Sequence, residues 1–133
     1  MDALTKSQLS EIVRTLRANG VVYARLFGSA AAGTLTFDSD IDLAVSGARP
    51  LTTGEMQRMI DQVSAIALRP VDILDLRTAR GAVFDEAIAG DELFCDNEEV
   101  KAEAQYRRVT VIQDDIEYAR SSFNAAKDRM FVP

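Results

Sequence analysis

The chain of 133 residues contains no histidine and a single cysteine. Without histidine there is no Ser-His or Cys-His triad, no common zinc-hydrolase site and no imidazole general base. Any acid–base or metal chemistry has to come from Asp, Glu, Lys or Tyr. Cys95 has no second thiol to pair with, and it reads as a small buried or half-buried side chain rather than a nucleophile. Basic residues are in the minority, 15 against 21 acidic, for a net charge of −6. An acidic chain does not draw in polyanions through its overall field, so direct nucleic-acid binding is not expected. No apolar run approaches the roughly 20 residues that a membrane-spanning helix needs. The N-terminal MDALTKSQLSEIVR does not read as a signal peptide. The expectation is a cytoplasmic protein with no membrane partner.

What is present is an ordinary globular balance, with 47% hydrophobic and 27% charged residues. A chain of this length buries a core without disulfides or a structural metal, and it fits one domain over 1–133.

Leu9, Ile12, Val13 and Leu16 recur at helical spacing, which predicts a helix over 6–18 ended by Asn19-Gly20. Val21 to Phe27 predicts a buried strand running into Gly28-Ser29. The alanine-rich stretch to Gly33 predicts one or two helical turns, and 34–39 a loop. Asp40 to Val45 predicts a second strand. Thr52 and Glu55 form a capping box opening a helix whose stripe is Met56, Met59, Ile60, Val63 and Ala67. Pro70 introduces a third strand, Val71 to Leu76, followed by a short helix over 79–89 and a brief edge strand from Glu92 to Cys95. Asp96 and Glu99 carry the signature of another capping box, opening a helical segment over about 97–130. Within it Val109, Ile112, Ile116, Ala119, Phe123, Ala126 and Met130 alternate spacings of three and four, a heptad seam. Such a seam packs on its own domain or docks helices of a partner. The element order predicts an α/β (α+β) fold, one small mixed sheet packed with helices and a long C-terminal helix.

The chemistry concentrates in LFGSAAAGTLTFDSDIDLAV, residues 26–45. Asp40 and Asp42 stand two apart on a predicted strand, so they share a face at roughly 6.5–7 Å between Cα atoms. Two carboxylates so placed can converge on one hard cation, magnesium or manganese. Asp72, between Val71 and Ile73, is expected in a mostly buried strand, where a carboxylate is costly unless paired or metal-bound. If the third strand lies beside the second, Asp72 joins the cluster. Three acids holding one or two cations suit in-line phosphoryl transfer. Gly28 and Ser29, at a strand-to-helix turn, would offer backbone N–H groups, a close approach and a hydroxyl to a phosphate.

Rival motifs fail. A P-loop needs lysine where Thr34 stands, and a dinucleotide fingerprint needs glycine where Ala30 stands. Asp38, Asp40 and Asp42 begin like a calcium loop, but Leu43 and Arg49 replace its glycine and its bidentate glutamate.

On FGSAAAG, SDIDLAV and VDILDL the sequence resembles the minimal nucleotidyltransferase (MNT) family of the DNA polymerase β-like superfamily, over about residues 20–95. The short length and helical tail also resemble the MNT antitoxins of HEPN/MNT toxin–antitoxin pairs. The resemblance implies a nucleotidyltransferase core in which Asp40, Asp42 and Asp72 hold Mg2+, Asp72 assists deprotonation of the acceptor, and Gly28 and Ser29 contact the triphosphate of ATP. It implies transfer of AMP to a tyrosine of a helical HEPN ribonuclease toxin, with the C-terminal seam as part of the docking face. Ala30 and Ala32 depart from the pattern, standing where members often carry arginine. Their absence removes a charge-assisted contact to the triphosphate. Arg25, Arg49 and Arg69 are candidates to replace it. Two other readings stay open: transfer to a small molecule of aminoglycoside type, and an antitoxin that acts by binding alone.

Overall fold

The structure is a computed structural model and describes residues 4–28 and 40–108. The alanine-rich turn after Ser29, the loop over 34–39 and the heptad seam from Val109 to Met130 lie outside the described residues.

Helix α1 (Lys6–Ala18) is opened by a capping box that the sequence reading did not name. The Gln8 N–H donates to Thr5 Oγ1 at 3.0 Å, and the Thr5 N–H donates to Gln8 Oε1 at 2.9 Å. Such a cap contributes about 1 kcal/mol. Ile12 and Leu16 form the buried stripe, and the chain turns through Gly20 at φ 85°. Strand β1 (Val21–Phe27) leads to β2 (Ile41–Gly47). Helix α2 (Thr53–Ala67) carries the expected Thr52–Glu55 box and buries Met59, Val63 and Ala67. Strand β3 (Val71–Asp75), helix α3 (Ala82–Ile88) and strand β4 (Asp91–Cys95) follow. A fourth helix, α4, is described over 98–108.

The α4 cap differs from the expectation. Asn97 Oδ1 accepts from the N–H groups of Glu99 and Val100 at 3.0 and 3.2 Å. Asp96 is instead held by both Nε and an Nη of Arg17, each at 2.9 Å. The guanidinium of Arg17 also stacks on Phe94, 4.5 Å from the ring centre. An arginine fork competes well for a carboxylate, so the cap passes to the next residue.

The four strands form one mixed sheet in the order β3-β2-β1-β4. β1 pairs antiparallel with both β2 and β4, and β2 pairs parallel with β3 across α2. Alternating side chains face opposite sides of a sheet, and both sides are covered. On one side Ala24, Leu26, Ile41, Leu43, Val45 and Ile73 meet Ile12, Leu16, Met59 and Val63 of α1 and α2. On the other, Tyr23, Phe27 and Ala44 meet Phe84, Ala87 and Ile88 of α3 and Val100 and Ala104 of α4. Burying each large aliphatic or aromatic side chain contributes about 1.5–3 kcal/mol. This is the α/β architecture expected from the element order. Among the described residues no helix is long and apolar enough to cross a membrane.

Candidate active site

The site lies at the end of the sheet where β1 finishes and β2 and β3 begin. Phe27 is the register partner of Asp42 on one side. Asp42 is the register partner of Asp72 on the other. Asp42 has the strand parity of Ala44, and Asp72 that of Leu74, so both carboxylates rise on the α3/α4 side. Adjacent strands lie about 4.8 Å apart, which brings the two acids side by side. Asp40, exposed, stands two residues before Asp42 and adds its charge to the same region.

Gly28 turns the chain away from β1 at φ 69°. A Cβ there would run into the Asp42 carboxylate, standing only 3.3 Å from its Cγ. Two reasons therefore require glycine: the left-handed backbone and the packing of that backbone on Asp42. Ser29, the other residue of the expected phosphate turn, lies outside the described residues, as do Ala30 and Ala32.

Burial pushes the Asp42 carboxyl above its ordinary value, and the charges of Asp72, Asp40 and Glu86 add to the push. Among the described residues, the charges that act on Asp42 are all negative. A like charge nearby disfavours ionisation, and a cation bound between the carboxylates reverses this. The donors are all oxygen, which suits a hard divalent ion. Asp42 and Asp72, with Asp40 beside them, fit such an ion in kind. Among the described residues no group of three or more acidic or thiol side chains closes around one point.

Asp72 is exposed rather than buried. β3 is an edge strand, and α3 packs over β1 and β2, so the side carrying Asp72 stays open. The buried acid of β3 is Asp75, 6% exposed. Its Oδ2 accepts from the Leu51 N–H at 2.8 Å and its Oδ1 from the Arg77 N–H at 2.9 Å. Asp75 thus ties the loop before α2 to the turn after β3.

Two of the three candidate arginines are engaged away from the acids. Arg25 donates to Tyr23 Oη at 2.8 Å and to the Gly90 carbonyl. Arg49 forks onto Glu55 at 2.9 and 3.0 Å. Arg69 is half-buried just before β3. Glu86, which no sequence pattern marked, joins the cluster because α3 folds back over the end of β1. Helical spacing alone does not say which strand a helix flank borders.

A mixed sheet with helices on both sides and paired aspartates beside a glycine turn defines the class: a protein of nucleotidyltransferase fold. The chain belongs to the family described as Polymerase beta, Nucleotidyltransferase, whose match covers residues 10–99. Among solved structures it is similar to a chain of a toxin–antitoxin complex with AMP-PNP, with TM-score 0.70 and 24% identity over 93% of this chain and 98% of that one. It is also similar to a chain of the tri-AMPylated Shewanella oneidensis HEPN toxin in complex with MNT antitoxin, with TM-score 0.69 and 19% identity over 97% and 100%. A chain of the MntA–HepT toxin–antitoxin gives TM-score 0.64 and 20% identity over 96% and 100%. At these identities the likeness establishes the fold. Among curated proteins no sequence matches.

Proposed function

We propose that this protein is a magnesium-dependent adenylyltransferase that moves AMP from ATP onto a hydroxyl of a partner protein, a tyrosine of a HEPN-type ribonuclease toxin. The observation that carries the reading is the register of Asp42 on Asp72, with the Gly28 backbone against Asp42. The structural relatives support the partner and the group transferred, since one is a complex with AMP-PNP and another contains a tri-AMPylated HEPN toxin.

Asp40, Asp42 and Asp72 are the residues that would hold the metal. Magnesium, when bound, neutralises the triphosphate and lowers the pKa of the acceptor hydroxyl. Gly28 and Ser29 admit the triphosphate close to the backbone. The acceptor oxygen forms a bond to the α-phosphorus as the bond to the β-phosphate oxygen breaks. Pyrophosphate leaves with the electron pair. A carboxylate oxygen of Asp72, the exposed member of the pair, assists removal of the acceptor proton. Docking of the toxin on the C-terminal helix belongs to the same proposal.

The test uses the purified protein, magnesium, α-labelled ATP and a HEPN-type ribonuclease toxin as the candidate acceptor. Label should pass to the partner and be lost in Asp42→Asn and Asp72→Asn. Label that persists in both variants contradicts the proposal, as does a parent that transfers none.

A second reading, neutralisation by binding alone, draws on one observation: Arg25 and Arg49 are engaged elsewhere rather than at the acids. It expects the Asp42→Asn/Asp72→Asn variant to protect cells from the toxin as well as the parent does.

A further inference from the structure

Arg25 is a cation laid inside the fold rather than on its surface. It stands on β1 between Tyr23 and Phe27, and the alternation of the strand puts all three on the α3/α4 side. Its side chain is 13% exposed. One Nη donates to the hydroxyl of the fully buried Tyr23 at 2.8 Å, and the other donates to the Gly90 carbonyl. Glu92, its register partner on β4, stands 3.9 Å away and is itself met by Lys101 at 2.8 Å. Enclosing a guanidinium is costly unless its donors are used. Here they tie the junction of α3 and β4 to β1.

Gly90 is the last residue before β4. It is held so close to the end of β1 that an added Cβ would run into the Leu26 carbonyl oxygen, standing 3.1 Å from the Leu26 carbonyl carbon and 2.9 Å from Phe27 Cβ. Those neighbours are backbone and a Cβ, which do not swing aside, and a close-packed interior passes such strain on. The junction has no easy retreat, because the guanidinium that holds its carbonyl grows from β1 itself.

The path from this contact to the aspartates is short. Leu26 and Phe27 are the last residues of β1 before Gly28. Phe27 is the register partner of Asp42, and the Gly28 backbone packs on the Asp42 carboxylate. A shift of the strand end therefore moves both the turn and the acid.

We propose that Arg25 and Gly90 are positioning residues for the site. Together they set the end of β1, and through it the Gly28 turn and the Asp42 carboxylate, in the arrangement that takes metal and triphosphate. Neither touches the nucleotide. The proposal rests on the adenylyltransferase reading and adds the residues that hold its geometry. Arg25 thereby acts on the triphosphate site from behind the strand rather than by direct contact.

The experiment measures kcat and KM for AMP transfer to the HEPN-type toxin, the Kd for magnesium–AMP-PNP and the thermal midpoint. The proteins are the parent, Gly90→Ala, Arg25→Met, Arg25→Lys and Gly47→Ala. Gly47 is the control, at the end of β2 far from Asp42, where an added Cβ would stand 3.3 Å from the Gly20 carbonyl oxygen. Gly90→Ala should lower kcat and the affinity for magnesium–AMP-PNP by about 10- to 100-fold, as loss of groups that orient metal ligands does, with the KM for the toxin unchanged. Arg25→Met should show a smaller loss in the same two quantities. Arg25→Lys, which keeps a donor for the Gly90 carbonyl, should recover most of it. Gly47→Ala should lower the midpoint and leave Kd and kcat at parent values. Where Gly90→Ala does not fold, the two Arg25 variants decide. Variants that melt lower but keep the parent's Kd and kcat would overturn the proposal, as would losses in Gly47→Ala that match those at Gly90. A parent that binds no magnesium–nucleotide sinks the adenylyltransferase reading, and this proposal with it.

Discussion

Asp72 and Asp75 stand three residues apart on one strand and face opposite sides of the sheet. Asp75 is buried, and two backbone N–H groups occupy its two oxygens. Asp72 is exposed and meets only another carboxylate, its register partner Asp42, among the described residues. The contrast extends to the two ends of the sheet. At the far end Arg77 Nε donates to the Gly47 carbonyl at 2.6 Å, and Arg107 donates to the carbonyls of Leu76 and Ala79 while stacking on Phe84. Polar groups there are matched with partners. At the near end Asp40, Asp42, Asp72 and Glu86 gather with none among the described residues. A carboxylate saturated by backbone donors stabilises the fold, whereas like charges gathered at a strand end destabilise it unless a ligand joins them. That difference separates structural from functional acids in this chain.

The largest expected effects break the contrast directly. Asp42→Asn or Asp72→Asn should lower AMP transfer by on the order of 100-fold or more, measured by label incorporation, and leave the thermal midpoint unchanged or raised. Asp75→Ala should do the reverse. It strands two part-buried N–H groups, which at about 1–3 kcal/mol each lowers the midpoint by on the order of 10 °C, with the surviving folded fraction still active.

Gly28→Ala tests the joint between turn and cluster. The left-handed backbone costs a non-glycine residue about 1–2 kcal/mol, and the new Cβ meets Asp42. Loss of transfer should exceed loss of stability, and comparison of kcat with a melting curve reads both.

Acid pH probes the saturated carboxylates. Arg49 holds Glu55 at about 2, and Arg17 holds Asp96 below its usual range. Both are lowered in the folded state, so the stability they give is present above the ordinary carboxylate range and is lost as pH falls through it toward 2. Melting curves across that window should show the decline, with a shallower slope in Arg49→Ala. The smallest effect concerns Leu68, which ends α2 in the left-handed region at φ 58° while 82% exposed. Leu68→Gly should raise stability by about 1 kcal/mol.

Much of this was legible in the sequence because periodicity and caps are local. The ranges 6–18 and 21–27 agree with α1 and β1, and Thr52 with Glu55 marked the start of α2. The Asp40–Asp42 spacing and the glycine before it stand out for the same reason. What escaped is long-range. That Asp96 serves Arg17 instead of capping α4 depends on a contact 79 residues away in the chain. The solvent-facing position of Asp72 follows from β3 being an edge strand, which no stretch of five residues reveals. Glu86 reaches Asp42 only through the packing of α3 on β1.

The most direct test is calorimetric titration of magnesium with AMP-PNP into the parent and into Asp42→Asn/Asp72→Asn. The account predicts metal-dependent nucleotide binding by the parent and its loss in the double variant, both proteins melting alike. Equal binding by the two proteins, or a parent that takes up no magnesium–nucleotide at millimolar concentration, would contradict it.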